Sequence, residues 1–184
     1  KAIHILIAAV PFLAAINTPA TMILVASGTL LYTIAEFLRS RGHEVFLISR
    51  ITELASRDRD RGHFVLGPIT LGIGAMLALM LYPDPAAAIA ILALAFGDSI
   101  SSLVGKLYGY VTIPFTGGKT YAGSFACFLV VLFVAYRVTG NLNLSILISI
   151  AATALEALPT RDLDNIIVPV GTGFIASQLI AFVG

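Results

Sequence analysis

Three groups of polar residues interrupt an otherwise apolar chain, and their side chains suit chemistry on phosphates. Asp98 lies within a long hydrophobic run, Gly117-Gly118-Lys119-Thr120 lies between two such runs, and a third group extends from Glu156 to Asn165. An ionised acid inside a bilayer costs several kcal/mol unless it is compensated, so an intramembrane acid is a functional candidate. The alternative for Asp98 is a structural pair with a neighbouring lysine.

The residues after Asp98 extend one face of a predicted helix. Ser102 and Lys106 follow at intervals of four residues, and Ser101 lies close to the same face. We expect Ser102 and Lys106 to contact a nucleotide, and Asp98 to bind a metal ion or act in catalysis.

The second group is similar to the end of a phosphate-binding loop. The full G-x-x-x-x-G-K-[ST] pattern fails because position 113 is Ile. Glycine N–H groups, the Lys119 charge and the Thr120 hydroxyl still suit phosphate, and a helix is predicted to start near Tyr121 with Ser124 in its first turn. We therefore predict that Gly117, Gly118, Lys119, Thr120 and Ser124 bind a nucleotide.

The third group offers oxygen ligands only, which suit Mg²⁺ or Mn²⁺. We predict Asp98, Asp162 and Asp164 as metal ligands and Asn165 as a nucleotide contact. The alternative is a polar turn in which Asp164 or Asn165 caps the last helix. Capping does not explain Glu156, which lies inside the preceding apolar run.

A further pair, Glu36 and Arg39, is spaced i, i+3 on one helix face. It could support phosphate or lipid binding, or form an ion pair at a helix end. The histidines His4, His43 and His63 show no metal-ligand spacing, and Cys127 is expected to be a small buried side chain.

The composition places these residues in a membrane protein. Of the 184 residues, 58% are hydrophobic and 11% are charged, the mean hydropathy is +0.97, and a net charge of +1 gives no sign of nucleic-acid binding. We predict a single all-α membrane domain, residues 1–184, with about seven transmembrane helices, or six, because the first and sixth apolar runs are of marginal length. The runs are Ala2–Ile16, Ala20–Leu38, Leu66–Tyr82, Ala86–Leu107, Gly123–Val138, Leu144–Leu158 and Ile166–Val183.

The loops predict an orientation. With Lys1 set aside, nine Lys and Arg residues lie on one side and one on the other, which places the N-terminus and the polar loops in the cytoplasm. Residues 39–65 form the longest cytoplasmic loop, in which Val45–Ser56 is predicted to be an amphipathic interfacial helix. The chain starts with Lys1 and not with Met, which is compatible with a truncated N-terminus. We expect no cleavable signal peptide.

Taken in order, these motifs resemble the polyprenol kinase family, which includes dolichol kinase, phytol kinase and the CTP-dependent diacylglycerol kinase. The residues that carry the resemblance are Gly97-Asp98-Ser99, Gly105-Lys106, Gly109, Gly118–Ser124, Glu156-Ala157-Leu158 and Asp164-Asn165-Ile166 with Pro169, together with Lys1, His4, Glu36, Arg39 and Gly67-Pro68. The resemblance implies a membrane enzyme that uses a divalent metal and transfers the γ-phosphate of CTP to a lipid hydroxyl. Asp98 or Glu156 would orient or deprotonate that hydroxyl, and Lys119 would act on the phosphate. Assembly into a homo-oligomer is compatible with the sequence.

Two other functions fit some of these features. The middle segment is also similar to phosphatidate cytidylyltransferases, whose second motif is not found here. A small membrane transporter would also contain intramembrane acids, but it predicts an internal repeat, and the sequence shows no convincing one.

Overall fold

A computed structural model describes residues 2–42 and 64–183, and in these ranges the chain forms a bundle of α-helices. This confirms the predicted all-α membrane bundle. The helices are α1 (Ala2–Ile7), α2 (Val10–Ser40), α3 (Gly67–Leu81), α4 (Ala86–Leu92), α5 (Ser99–Tyr108), α6 (Tyr121–Thr139), α7 (Leu142–Glu156) and α8 (Asp164–Val183). A π-helical stretch, Ala93–Asp98, joins α4 to α5, and a 3₁₀ turn, Arg161–Leu163, precedes α8.

Four helical segments of the described residues are long and apolar enough to cross a membrane. They are Val10–Ser40, Ala86–Tyr108, Tyr121–Thr139 and Asp164–Val183, while Gly67–Leu81 and Leu142–Glu156 are shorter apolar helices. The count of six or seven spans stays a prediction, because four segments of the described residues meet the required length and Gly67–Leu81 and Leu142–Glu156 have 15 residues each. The predicted amphipathic helix Val45–Ser56 lies outside the described residues.

The difference from seven predicted runs arises at the N-terminal end. The run Ala2–Ile16 is divided between the short helix α1 and the start of α2, and α2 then continues through the predicted boundary with only a kink. The kink is at Asn17, whose φ and ψ are −156° and 98°. Pro19 has no N–H to donate, and the Asn17 side chain accepts the Ala20 N–H at 2.9 Å, so the helix restarts with a side-chain cap.

The apolar outer surface of the bundle is what a lipid environment requires. Large side chains such as Ile16, Leu24 and Phe133 are more than half exposed. Of the four long segments, Ala86–Tyr108 has 67% of its most apolar stretch buried, against 22% or 28% in the others. We call Ala86–Tyr108 the central helix, because the other helices surround it.

The central helix carries Asp98 at the end of its π-helical stretch. The sequence predicted an interruption at Gly97-Asp98-Ser99, and the structure shows a widened helical turn there instead of a break. Gly97 lets the helix pack closely on Cys127 and Val131, whose side chains lie 3.2 and 3.3 Å from where a Cβ would be. Cys127 is buried, as predicted. Widened turns of this kind are frequent at functional sites.

Two close helix contacts depend on glycine. A Cβ at Gly74 of α3 would lie 2.0 Å from the backbone oxygen of Asn165 in α8. A Cβ at Gly123 of α6 would lie 2.6 Å from the Ser101 carbonyl oxygen, so α5 and α6 cross almost backbone to backbone. Both contacts involve helices that carry predicted site residues.

Candidate active site

Buried polar residues from three parts of the chain meet around His4, and we call His4, Asp98 and Asn165 the His4 cluster. The Nε2 atom of His4 lies 3.3 Å from Asp98 Oδ2 and 3.1 Å from Asn165 Oδ1. Both partners are acceptor oxygens when Asp98 is ionised, so Nε2 carries the hydrogen in this arrangement. The N-terminal helix α1 thereby links the central helix to α8.

Asn165 is fixed on its other side as well. Its Nδ2 donates to the Gly67 carbonyl oxygen at 3.1 Å and to Thr70 Oγ1 at 3.0 Å. Asn165 is therefore held by α1 and α3 at the first turn of α8. The predicted Asp164 is buried beside it, with Oδ1 accepting the Asn165 N–H at 2.9 Å.

A second group of residues, Glu156, Lys119 and Ser101, forms what we call the Glu156 cluster. Glu156 is the last residue of α7 and is 2% exposed. Its Oε1 forms an ion pair with Lys119 and accepts a hydrogen bond of 2.9 Å from Ser101 Oγ. Within the described residues, Glu156 Oε2 is buried without a hydrogen-bond partner. This oxygen can accept a hydrogen bond from a ligand.

The two clusters adjoin on the central helix. Ser101 Oγ also lies 3.2 Å from the Asp98 carbonyl oxygen, one turn away. Tyr108, at the end of the central helix, lies ten positions after Asp98, which corresponds to about 15 Å of helix. The polar site therefore lies well below that end of the central helix, at the level where α7 ends and α8 begins.

Residues 109–120 connect the central helix to α6 and bring Lys119 to Glu156, and we call this segment the hairpin. Its arms are joined by hydrogen bonds from Ile113 N to Lys119 O (2.8 Å) and from Tyr121 N to Val111 O (3.2 Å). Gly117 and Gly118 have φ values of 70° and 101°, which disfavour any residue with a Cβ. The predicted glycine pair is thus required by the turn that returns Lys119 to the bundle.

The predicted start of a helix at Tyr121 is confirmed, with Thr120 as its N-cap. Thr120 Oγ1 accepts the Gly123 N–H at 3.1 Å, and the Tyr121 N–H bonds to Val111. Two N–H groups that we expected to face phosphate therefore have partners already. An anion at the start of α6 would be attracted mainly by the positive end of the helix dipole and by the nearby Lys119.

Glu36 and Arg39 form the helix-end ion pair that was the structural alternative. Glu36 is fully buried, and it accepts hydrogen bonds from Arg39 Nε (2.8 Å), Arg39 Nη2 (2.6 Å) and the Val65 N–H (2.7 Å). The pair thus fixes the start of the segment that leads into α3.

Three other predicted residues are not drawn into the clusters. Lys106 is exposed, two helical turns beyond Asp98, and it has no hydrogen bond or ion pair with another residue of the described part of the chain. Ser102 is half-buried, and its neighbour Ser101 is the serine that contacts Glu156. Ser124 Oγ is buried and unpaired among the described residues, so it has a hydrogen bond to offer. Their nucleotide contacts stay predictions.

The predicted metal ligands do not form a closed protein cage. Over residues 2–42 and 64–183, no group of three or more His, Cys, Asp or Glu side chains is arranged to hold a metal ion. Asp162, in the 3₁₀ turn, is half-buried, while Asp98 and Asp164 are almost fully buried. This donor set fits Mg²⁺ that arrives with phosphates, because Mg²⁺ usually takes only one or two protein carboxylates.

Sequence reasoning missed two residues of these clusters. The spacing of the histidines does not predict a role for His4, although His4 is part of the family resemblance. Its signal was an isolated polar side chain in an apolar run. The i, i+4 spacing from Asp98 favours Ser102, whereas Ser101, at i+3 in the same α-helix, is the serine that contacts Glu156.

The fold and site define an all-α membrane protein with a buried site of acids, a lysine and a histidine. The chain is 26% identical to a probable chloroplastic phytol kinase of Triticum aestivum over 70% of its own length and 49% of the relative's. It is 25% identical to the chloroplastic phytol kinase 1 of Arabidopsis thaliana, over 67% of its own length and 47% of the relative's. It is 29% identical to a dolichol kinase of Arabidopsis thaliana, over 60% of its own length and 22% of the relative's.

These relatives confirm the resemblance to the polyprenol kinase family that the motifs predicted. The chain spans about half the length of the phytol kinases that it matches. No family model and no solved structure matches the chain.

Proposed function

We propose that the protein is a lipid-alcohol kinase that transfers the γ-phosphate of CTP to the hydroxyl of a membrane lipid. Polyprenols such as dolichol, phytol-like isoprenoids and diacylglycerol are the candidate acceptors. The observation that carries the proposal is the ion pair of the buried Glu156 with the half-buried Lys119 beside Asp98, in a chain similar to phytol and dolichol kinases. Phosphoryl transfer needs mainly positioning and neutralisation of charge, which these residues can supply.

Lys119 is the residue proposed to hold the transferring phosphate. Its side chain is 27% exposed, so its ammonium group can reach a nucleotide as well as Glu156. Gly117 and Gly118 precede it in the turn of the hairpin, and Ser124 has an unpaired hydroxyl in the next helix. These residues would hold the phosphates of CTP on the side of the site nearest the hairpin.

Asp98 and Asp164, with Asp162 near the 3₁₀ turn, would hold Mg²⁺ together with nucleotide oxygens. Bound there, the ion would neutralise negative charge on the phosphates. His4 keeps Asp98 and Asn165 in fixed positions by donating toward both. Asn165 is thereby oriented for a nucleotide contact at the start of α8.

Glu156 is the better placed of the two acids to receive the lipid hydroxyl. Asp98 Oδ2 is engaged by His4, whereas Glu156 Oε2 is buried without a partner in the described residues. The hydroxyl would give its proton to Glu156 Oε2 as its oxygen bonds to the γ-phosphorus and CDP leaves.

Transfer of label from CTP to lipid tests the proposal. Membranes containing the full-length protein are incubated with phytol, dolichol or diacylglycerol and with CTP labelled at either the γ- or the α-phosphate. Label in the lipid from the γ position alone is the expected result, and it should be lost in Lys119→Met. Arg137→Met is the matched control, because Arg137 is an exposed cation at the other end of α6.

The other results separate the alternatives. Incorporation of the α label would identify a cytidylyltransferase, and transfer from ATP but not CTP would correct the donor. Absence of lipid labelling with every donor and alcohol, in membranes that contain the folded protein, would overturn the kinase proposal.

A further inference from the structure

The outer side of the hairpin is apolar and aromatic, although it faces away from the bundle. Tyr110 is 92% exposed, Phe115 is 98% exposed and Val111 is 62% exposed. Phe115 also has a φ of 64°, a left-handed conformation that costs a residue with a Cβ about 1–2 kcal/mol. A nearly fully exposed phenylalanine in this conformation is not explained by packing inside the bundle.

The inner side of the same hairpin is polar and anchored. Lys119 pairs with Glu156, and the backbone at Gly117 passes close to Pro159, whose Cβ lies 3.6 Å from where a Gly117 Cβ would be. The hairpin therefore has two different sides, of which one closes the buried site and the other has no partner in the described structure.

The position of the hairpin indicates what covers its outer side. It joins the ends of two segments that can cross a membrane, Ala86–Tyr108 and Tyr121–Thr139, so it emerges at one bilayer surface. The central helix has 23 residues, about 34 Å of helix against a hydrocarbon core of about 30 Å, which places Tyr108 near that surface. Exposed Leu103 and Leu107 extend the apolar surface of this helix toward the hairpin.

We propose that the outer side of the hairpin, Tyr110, Val111 and Phe115, inserts into the boundary between the headgroups and acyl chains of the bilayer. Tyrosine is enriched at this level of membranes, and the apolar Val111 and Phe115 side chains gain by leaving water. The exposed Lys106, two residues before the end of α5, can extend its ammonium group toward lipid phosphates. This proposal concerns the position of the hairpin and does not depend on the reaction catalysed.

Tryptophan fluorescence offers a direct test, because the chain contains no tryptophan. Phe115→Trp and, separately, Tyr110→Trp are reconstituted into vesicles of phosphatidylcholine with a minor fraction of phosphatidylglycerol. The phosphatidylcholine carries bromine at either a shallow or a deep acyl position. We expect blue-shifted emission, stronger quenching by shallow than by deep bromine, and weak quenching by aqueous acrylamide.

Phe133→Trp is the depth control, since Phe133 is exposed in the middle of α6 and should be quenched best by deep bromine. Thermal unfolding in detergent establishes that each variant folds. Emission typical of water with strong acrylamide quenching at both hairpin positions would overturn the proposal. Shielding from acrylamide that requires a high protein-to-lipid ratio, without bromine quenching, would also overturn it, in favour of contact with a second copy of the chain.

Discussion

At the scale of single residues, the ion pair of the buried Glu156 with the half-buried Lys119 has the greatest consequence for stability and for chemistry. Glu156 is almost inaccessible to solvent, and Lys119 and Ser101 supply its described partners. A buried carboxylate without a counter-charge is strongly unfavourable. A loss of activity in a Lys119 variant could therefore come from misfolding, and the experiment must separate the two effects.

Lys119→Met should lower the free energy of unfolding by about 1–3 kcal/mol, since it leaves a buried carboxylate with one partner fewer. Adding Glu156→Gln should restore part of that stability, because the neutral amide tolerates burial without a cation. Thermal unfolding in detergent measures both effects. Neither variant should recover lipid phosphorylation, and recovery in the double variant would show that the pair is structural only.

His4 is the residue whose role depends most on geometry. His4→Ala removes the donor that faces Asp98 and Asn165. It should lower kcat for lipid phosphorylation by about 10–100-fold, which is the usual effect of removing a residue that orients a metal ligand, the role proposed for Asp98. His4→Gln keeps a side-chain N–H and should restore part of this loss. Steady-state kinetics and thermal unfolding are compared for the two variants.

A purely structural His4 would give a different pattern. The fall in activity would then follow the fall in unfolding temperature in both variants, and Gln would give no kinetic rescue at equal stability.

Some of the site could be predicted from residue types, and some could not. Asp98, Glu156 and Lys119 are expensive to place in an apolar chain, and the structure buries both acids and pairs Lys119 with Glu156. The approach of His4 to Asn165 joins residues 161 positions apart. No local spacing encodes such a contact, because it depends on how the helices pack.

At the scale of helices, glycine decides how closely the site-bearing elements approach. Gly74 is the clearest case, because it faces the backbone of Asn165, which no rotamer change can move. Even a methyl group there must displace α3 or α8. Such a displacement would alter the hydrogen bonds of Asn165 to Gly67 and Thr70.

Gly74→Ala should therefore destabilise the protein by about 1–3 kcal/mol, the usual range for overpacking. Gly28→Ala is the matched control, since Gly28 is also inside a helix and a Cβ there would meet nothing within 4 Å among the described residues. Thermal unfolding of the two variants in the same detergent should show a loss for Gly74→Ala and none for Gly28→Ala. Equal melting temperatures would contradict the close packing of α3 on α8.

The helices themselves were largely predictable, because apolar runs and turn residues determine them locally. The start of α6 follows from Thr120 and the glycines before it, and the N-cap Asn141 starts α7. The continuation of α2 through Asn17 was not predictable in this way. An Asn-Thr-Pro sequence is typical of a helix boundary, and only the packing of both limbs decides between a loop and a kink.

At the scale of the whole molecule, an apolar exterior surrounds a polar site near one end. The loops at that end connect α2 to α3, the central helix to α6, and α7 to α8. The short helix α7 ends at Glu156, while the central helix continues about 10 Å beyond Ser101, one of the residues that contact Glu156. This difference in length lets a polar site lie below the membrane surface without breaking the lipid-facing exterior.

The predicted orientation places this end in the cytoplasm, and cysteine labelling tests it. Two substitutions introduce the cysteines, Arg41→Cys and Asn143→Cys. Arg41 follows the end of α2, at the end of the bundle that contains the site, and Asn143 is in the first turn of α7, at the opposite end. Both positions are exposed, whereas the native Cys127 is buried and should not react. In intact cells, a membrane-impermeant maleimide should label the cysteine at position 143 and leave position 41 unlabelled until the membrane is opened. The reverse pattern would invert the orientation.

The π-helical stretch Ala93–Asp98 also sets the rotational phase between the two halves of the central helix. In an ordinary α-helix each residue advances the direction of the side chains by about 100°. A π-helical turn holds about one residue more than an α-helical turn, so each of its residues advances this direction by less. The stretch therefore accommodates one extra residue without changing the side of the helix on which Asp98 lies. We infer that a single deletion between positions 93 and 97 closes the widened turn and leaves the acid directed toward its histidine, whereas a deletion in the ordinary α-helix between Asp98 and Ser101 would turn these two residues relative to each other by about 100°.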